Sequence, residues 1–136
     1  MLTVEFRSRD DRPMAQFAIL PMSGLPQSLV EEQYRLASTL MMAGATRFYF
    51  LVTSDYIYGW TWGQKTPFFK QPTETILAKY AGGEPSKVRE ARSDYLSGLV
   101  EAWLADLSFH WKSGAEPVPA ERELRAAGLL GEMQAT

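Results

Sequence analysis

From residue 2 to residue 7 the chain alternates. Leu2, Val4 and Phe6 fall on one side, and Thr3, Glu5 and Arg7 on the other. A period of two with β-branched and aromatic residues predicts a half-buried strand. Arg9-Asp10-Asp11-Arg12-Pro13 is turn chemistry, because Asp bonds back to its own backbone and Pro pre-sets φ. Residues 14–20 form a second apolar run, so the two together predict a hairpin. After a loop over 21–26, Ser28 and Glu31 have the spacing of a capping box, which predicts a helix from near Leu29. Its apolar set is Leu29, Leu36 and Leu40 beside Val30, Tyr34, Ala37 and Met41, and Gly44 is a suitable stop.

Residues 47–53, RFYFLVT, are nearly all apolar and predict a central strand covered on both faces. Ser54-Asp55 makes a short turn. Residues 56–62 predict another strand, with Tyr56, Tyr58, Trp60 and Trp62 on one side and Ile57, Gly59 and Thr61 on the other. Residues 63–71 read as a loop carrying Phe68-Phe69, and a short helix starts after Pro72. Ala81-Gly82-Gly83-Glu84-Pro85 is a break. From Ser86 or Ala91 to Phe109 the helical signal is strong: Tyr95, Leu99, Trp103 and Leu107 form one row, and Leu96, Val100 and Leu104 the next. Residues 113–119 read as a linker. A last helix over 120–127 ends at Gly128, with Leu129-Leu130 tucked under the body. The predicted fold class is α/β: a small mixed sheet of a hairpin and two further strands, a helix between them, and C-terminal helices. One domain spans 1–136, with the sheet and first helix in 1–62 and a helical part in 63–136.

Composition narrows the class. The chain has 136 residues, 46% hydrophobic and 22% charged, which excludes a disordered chain too poor in apolar surface to offset its entropy. A net charge of −2 argues against a generally basic nucleic-acid binder. Cysteine is absent, which removes disulfides, thiol nucleophiles and thiolate metal sites. No 18-residue apolar run is present, and the N-terminal residues lack the basic-then-apolar pattern of a signal peptide. The expectation is a cytoplasmic protein with no membrane association.

The strand 2–6, the turn Asp11-Arg12-Pro13, the strand 14–20, a helix with Gln33, then Phe50-Leu51-Val52-Thr53-Ser54-Asp55 and Tyr56-Ile57-Tyr58-Gly59-Trp60 follow one another in an order with a precedent. That order resembles the second half of the restriction-endonuclease-like fold, the PD-(D/E)XK nuclease superfamily, and the local match is closer to its small uncharacterised bacterial members. The helix around Leu99–Leu107 and the tail Gly128-Leu129-Leu130 also resemble that family's C-terminal part. The resemblance implies a truncated restriction-endonuclease-like core and, in active members, magnesium-assisted phosphodiester hydrolysis. There an Asp and a Glu hold the cation, a Lys fixes the attacking water and a helical Gln supports the site. Counted from Pro13, the family's Glu and Lys positions fall on Ala18 and Leu20, which bind no hard cation. The Asp falls at or before Met1. In a second register Glu5-Phe6-Arg7 stands for Glu-x-Lys, with Gln33 beside it, although a planar guanidinium replaces a compact ammonium.

Other groupings have plain structural explanations. Glu31-Glu32 suits a first helical turn. Asp106 and His110, four apart, make an incomplete metal site, and His near a helix C-terminus is dipole chemistry. Ala81-Gly82-Gly83 lacks the Lys-Ser/Thr of a phosphate loop. Lys87, Arg89 and Arg92 are candidate phosphate contacts, although Glu84, Glu90 and Asp94 are interleaved with them. The aromatic row Tyr56, Tyr58, Trp60 and Trp62 is either core under the long C-terminal helix or a protein interface. The leading expectation is a non-catalytic protein-binding or assembly module with a protein partner or a second copy and no cofactor. The alternatives are a magnesium-dependent nuclease drawing on Glu5, Arg7 and Gln33, and a nucleic-acid binder without catalysis.

Overall fold

The computed structural model describes residues 2–7, 13–40, 46–113 and 118–129, with the side chains of Leu40 and residues 109–113 outside that set. Five strands form one open mixed sheet: β1 (Leu2–Arg7), β2 (Pro13–Ile19), β3 (Phe48–Val52), β4 (Tyr56–Thr61) and β5 (Phe69–Pro72), in spatial order β1-β2-β3-β4-β5. All neighbours are antiparallel except β2 and β3, which run parallel. Parallel neighbours need a crossover, and α1 (Gln27–Leu40) supplies it. The remaining helices, α2 (Thr73–Leu77), α3 (Pro85–Arg89), α4 (Ser93–Ser113) and α5 (Glu121–Ala126), follow the sheet, with a 3-10 turn at Ala78–Ala81.

The register sorts side chains onto two faces. On the α4 face a row crosses the sheet through Val4, Phe17, Phe50, Gly59 and Phe69. Together with Phe6, Ile19, Phe48, Val52 and Ile57 it forms one core with Leu96, Val100, Trp103 and Leu107 of α4, and Leu124 and Leu129 close its far end. The Phe17 and Phe50 rings stack at 4.3 Å and 6°, and Trp103 meets Phe17 edge-on at 5.9 Å. Gly59 lies directly under Phe50: a Cβ there would come within 2.5 Å of the Phe50 ring. A one-residue irregularity between Phe6 and Arg7 lets Met14 and Ala15 both enter this core.

The opposite face is packed by α1. Ala18, Tyr49, Leu51, Tyr58 and Trp60 meet Val30 and Tyr34 there in a second core. The elements agree with the sequence reading for the hairpin strands, the fully buried β3, the short helix α2, α5 and the buried Leu129.

Four expectations are corrected. The segment read as a loop with Phe68-Phe69 contains β5, so the sheet extends past residue 62; its strand signal is only four residues long. Of the two starts read for the long helix, Ser86 is overturned and the one near Ala91 holds: Ser86 lies in a separate short helix, α3, and α4 begins at Ser93, because the chain turns at residues 90–92. Of the apolar set assigned to α1, Val30, Tyr34 and Ala37 face the sheet, whereas Leu29 and Leu36 are 44% and 46% exposed. Helix α1 also begins two residues earlier than the capping box implies, with Leu29 N–H donating to the Pro26 carbonyl. The turn at 9–12, Met41 and Gly44 lie outside the described residues.

Gly59→Ala is expected to lower stability by roughly 1–3 kcal/mol, the usual range for overpacking a rigid core. The clamped Phe50 ring has no free direction in which to yield. Chemical denaturation of the variant beside the native chain measures it.

Candidate interaction surface

Across the α1 face the rows change character along their length. One row runs Glu5, Gln16, Tyr49, Trp60, and the next runs Thr3, Ala18, Leu51, Tyr58, Lys70. The β3 and β4 ends are aromatic or aliphatic and lie under α1, while the β1 end is polar and exposed. The change of character marks where the helical cover stops.

Helix α1 is asymmetric in the same sense. Glu31, Arg35 and Ser38 on one flank line a cleft against Gly63, Gln64, Lys65 and Thr66, the loop after β4. At 100° per residue, Leu29, Gln33 and Leu36 occupy the other flank, which overhangs the hairpin. The exposed strip therefore has a wall of Leu29, Gln33 and Leu36 and a floor of Thr3, Glu5, Arg7 and Gln16. Glu5, Arg7 and Gln33 thus share one side of the sheet, and Gln33 and Gln16 are both half-buried. Arg7 reaches back to Glu5 at 3.2 Å, as same-face residues two apart on a strand allow.

As a seat for magnesium this set is poor. A hard divalent cation wants several carboxylate or carbonyl oxygens. The strip offers one carboxylate, already paired with a guanidinium, and two amides, Gln16 of the floor and Gln33 of the wall. Among the described residues no three His, Asp or Glu side chains come together as a metal site. The His110 side chain lies outside the described residues. Asp106 accepts from the Tyr80 hydroxyl at 2.7 Å and from Lys79 at 3.2 Å, fixing the 3-10 turn to α4. Burial and the Asp106 carboxylate both push the Tyr80 phenol above its ordinary range.

The aromatic row is not core under the C-terminal helix, and only its ends reach the surface. It lies on the α1 face, away from α4, because its parity is that of Tyr49 and Leu51. Trp60 is fully buried, stacked on Tyr34 at 4.6 Å and 7°, and Tyr58 is buried beside it. Trp62 is partly buried, with its indole N–H donating to Thr46 at 2.9 Å. Tyr56, 38% exposed, carries Lys70 over its ring at 4.6 Å. An interface through Tyr58 and Trp60 would require α1 to lift away. Among the described residues the buried Trp60 indole N–H has no hydrogen-bond partner, which makes it the weak point of the stack.

The cationic trio is largely neutralised. Arg89 pairs with Glu74 at 2.8 Å, and Lys87 sits 3.9 Å from Glu84. Arg92 is exposed, in a shallow depression with Lys87, Glu90, Ala91, Asp94 and Tyr95.

Above the parallel pair, where open α/β sheets often hold ligands, the chain satisfies itself. The Thr53 hydroxyl accepts from the Asp55 and Tyr56 amides. Thr73 donates to the Thr53 carbonyl, and the Asp55 carboxylate accepts from the Gly24 amide at 2.6 Å.

Two features of this surface escaped the sequence reading. One is the exposed Leu29–Leu36 flank, which helical spacing alone assigns to the core. The other is Gln16, whose signal was a polar residue in the middle of the apolar run PMAQFAI. Comparison with protein-family models, with curated proteins and with solved structures found no match.

Tyr49 supplies a pH test of the α1 core. Burial pushes its phenol up from 10.0 to about 12. A folded value above the unfolded one means that the neutral phenol's contribution is complete below pH 10 and is lost as pH rises through about 12. Denaturation midpoints measured across that window are expected to fall, and to fall less steeply in Tyr49→Phe, which has no ionisable hydroxyl.

Proposed function

We propose that this chain is a non-catalytic, restriction-endonuclease-like interaction module that binds protein through the β1 side of its sheet. The observation that carries the reading is the contrast between the two sheet edges. β5 is short, bears Lys70 and ends in Pro72, three devices that discourage strand pairing. β1 is six residues long and has neither Lys nor Pro; Glu5, Arg7 and the irregularity beside Phe6 restrict its edge, yet it is the more open of the two, and no strand lies beyond it among the described residues. An edge left receptive is a template for strand addition. Beside it, Leu29 and Leu36 give the overhanging α1 flank apolar surface for a partner. The order hairpin, crossover helix, strand, strand supports the resemblance to the nuclease fold.

One observation favours a second reading, a nuclease completed by another chain: Glu5, Arg7 and Gln33 fall on the same side of the sheet. Under that reading magnesium would be the cofactor and the missing carboxylates would come from elsewhere. The donor set of the strip, one carboxylate already paired with Arg7 and two amides, does not fit the ion. Nothing in the arrangement of Lys87, Arg89 and Arg92 favours nucleic acid, because acidic residues alternate with them.

The purified chain, incubated with magnesium or manganese, is expected to leave plasmid, single-stranded DNA and RNA intact. It should also show no salt-sensitive retention of labelled oligonucleotide. Cleavage that disappears in Glu5→Ala would establish the nuclease reading in its place.

A further inference from the structure

We propose that the cleft between α1 and the loop after β4 binds a dipeptide-sized zwitterion, with its amine at Glu31 and its carboxylate between Arg35 and Lys65. The cleft lies on the flank of α1 away from the β1 strip and is independent of the module reading. Its two walls are tied to one atom. The Thr61 carbonyl accepts from the Tyr34 hydroxyl of α1 at 3.3 Å and from the Gln64 amide of the loop at 3.0 Å. Tyr34, which lines the cleft, is buried and lies flat on the sheet, stacked on Trp60 at 4.6 Å and on Trp62 at 5.6 Å. Gly63 adopts φ 93°, a left-handed conformation that favours glycine, and turns residues 64–66 alongside the helix. The cleft is therefore formed before any ligand arrives. Its volume of about 670 Å³ is in the range of sites for small organic ligands.

Charge selects the ligand. Glu31 and Arg35 stand one turn apart on the helix wall, and Lys65 stands on the loop wall. Arg35 does not close on Glu31; it pairs instead with Glu32 at 3.5 Å, one residue further round the helix. Glu31 and Lys65 are exposed, and neither enters an ion pair among the described residues. A simple anion here would face Glu31, and a simple cation would face Arg35 and Lys65. A molecule carrying one charge of each sign is complementary to all three. The spacing sets its length. One helical turn separates Glu31 from Arg35 by about 6 Å, and an extended residue advances about 3.3–3.6 Å. The termini of a dipeptide match that interval, whereas an α-amino acid carries both charges on one carbon. Ser38 and Thr66 add hydroxyls; Ser38 donates to the Arg35 carbonyl, which leaves its oxygen able to accept. The Tyr34 ring supplies an aromatic surface for the body of the ligand.

Titration of the isotope-labelled chain with alanylphenylalanine, followed by amide NMR, is expected to shift the signals of residues 31–38 and 63–66 and to saturate. Four changes are each expected to raise Kd by about fivefold or more, near the upper end for an ion pair in contact with solvent. Two are made on the ligand, N-acetylation and C-terminal amidation, and two on the protein, Glu31→Gln and Lys65→Gln. The effects interlock. Glu31→Gln should leave the affinity for the N-acetyl dipeptide unchanged, and Lys65→Gln the affinity for the amide. Free phenylalanine should bind more weakly than the dipeptide. Both substituted side chains are exposed, and the amide spectra confirm directly that the variants are folded. Absence of shifts at those residues up to the dipeptide's solubility limit overturns the proposal. So does a blocked dipeptide that binds as tightly as the free one, a variant with native affinity, or phenylalanine binding as tightly as the dipeptide. None of these readouts depends on the cleavage assay that decides the module reading.

Discussion

The position of one ring governs the packing of this molecule. Phe50 sits at the centre of β3, stacked on Phe17 across the parallel seam, and on the other side it lies over Gly59, where any side chain would collide with it. Phe68 and Phe69 close its edges, and Trp103 turns its own edge to Phe17. Trp103 in turn donates its indole N–H to the Pro119 carbonyl at 3.0 Å, which holds the C-terminal segment against the sheet. Sheet, long helix and tail are therefore seated by reference to the Phe17–Phe50 stack. Interiors packed to crystal-like density transmit such a constraint because no free volume absorbs a displacement.

The two faces of the sheet are covered unequally. The α4 face is apolar from β1 to β5, and its cover reaches β1. The α1 face is apolar only from Ala18 across to Trp60. A single helix about 10 Å wide cannot roof strands spaced nearly 5 Å apart across a five-stranded sheet. The residues left outside it are those that tolerate water: Thr3, Glu5, Arg7 and the half-buried Gln16. The interaction surface is the remainder of this geometry, with one edge that invites pairing.

Much of the fold was legible from periodicity. Alternation in LTVEFR, the unbroken apolar run FYFLV and the two rows of α4 each follow from strong, repeated local patterns. What was not legible depended on tertiary context. Phe69–Pro72 has too few residues to show a period, and it is a strand only because β4 offers an edge. Leu29 and Leu36 fit a helical stripe by spacing, yet the stripe that docks is the neighbouring one with Val30 and Tyr34. The aromatic row was seen as a row, but parity alone does not say which helix roofs it. The shared side of Glu5, Arg7 and Gln33 required the crossover to be in place first.

The single parallel contact has a consequence for how the chain reaches this state. β1 with β2, and β3 with β4 and β5, are each joined by short connections and make local ribbons. Between them, Ala15–Ile19 must find Phe48–Val52 from more than thirty residues away. Loop-closure entropy falls almost wholly on that one junction. The topology therefore favours early formation of the two ribbons and late closure along the Phe17–Phe50 line, with the crossover helix as their tether.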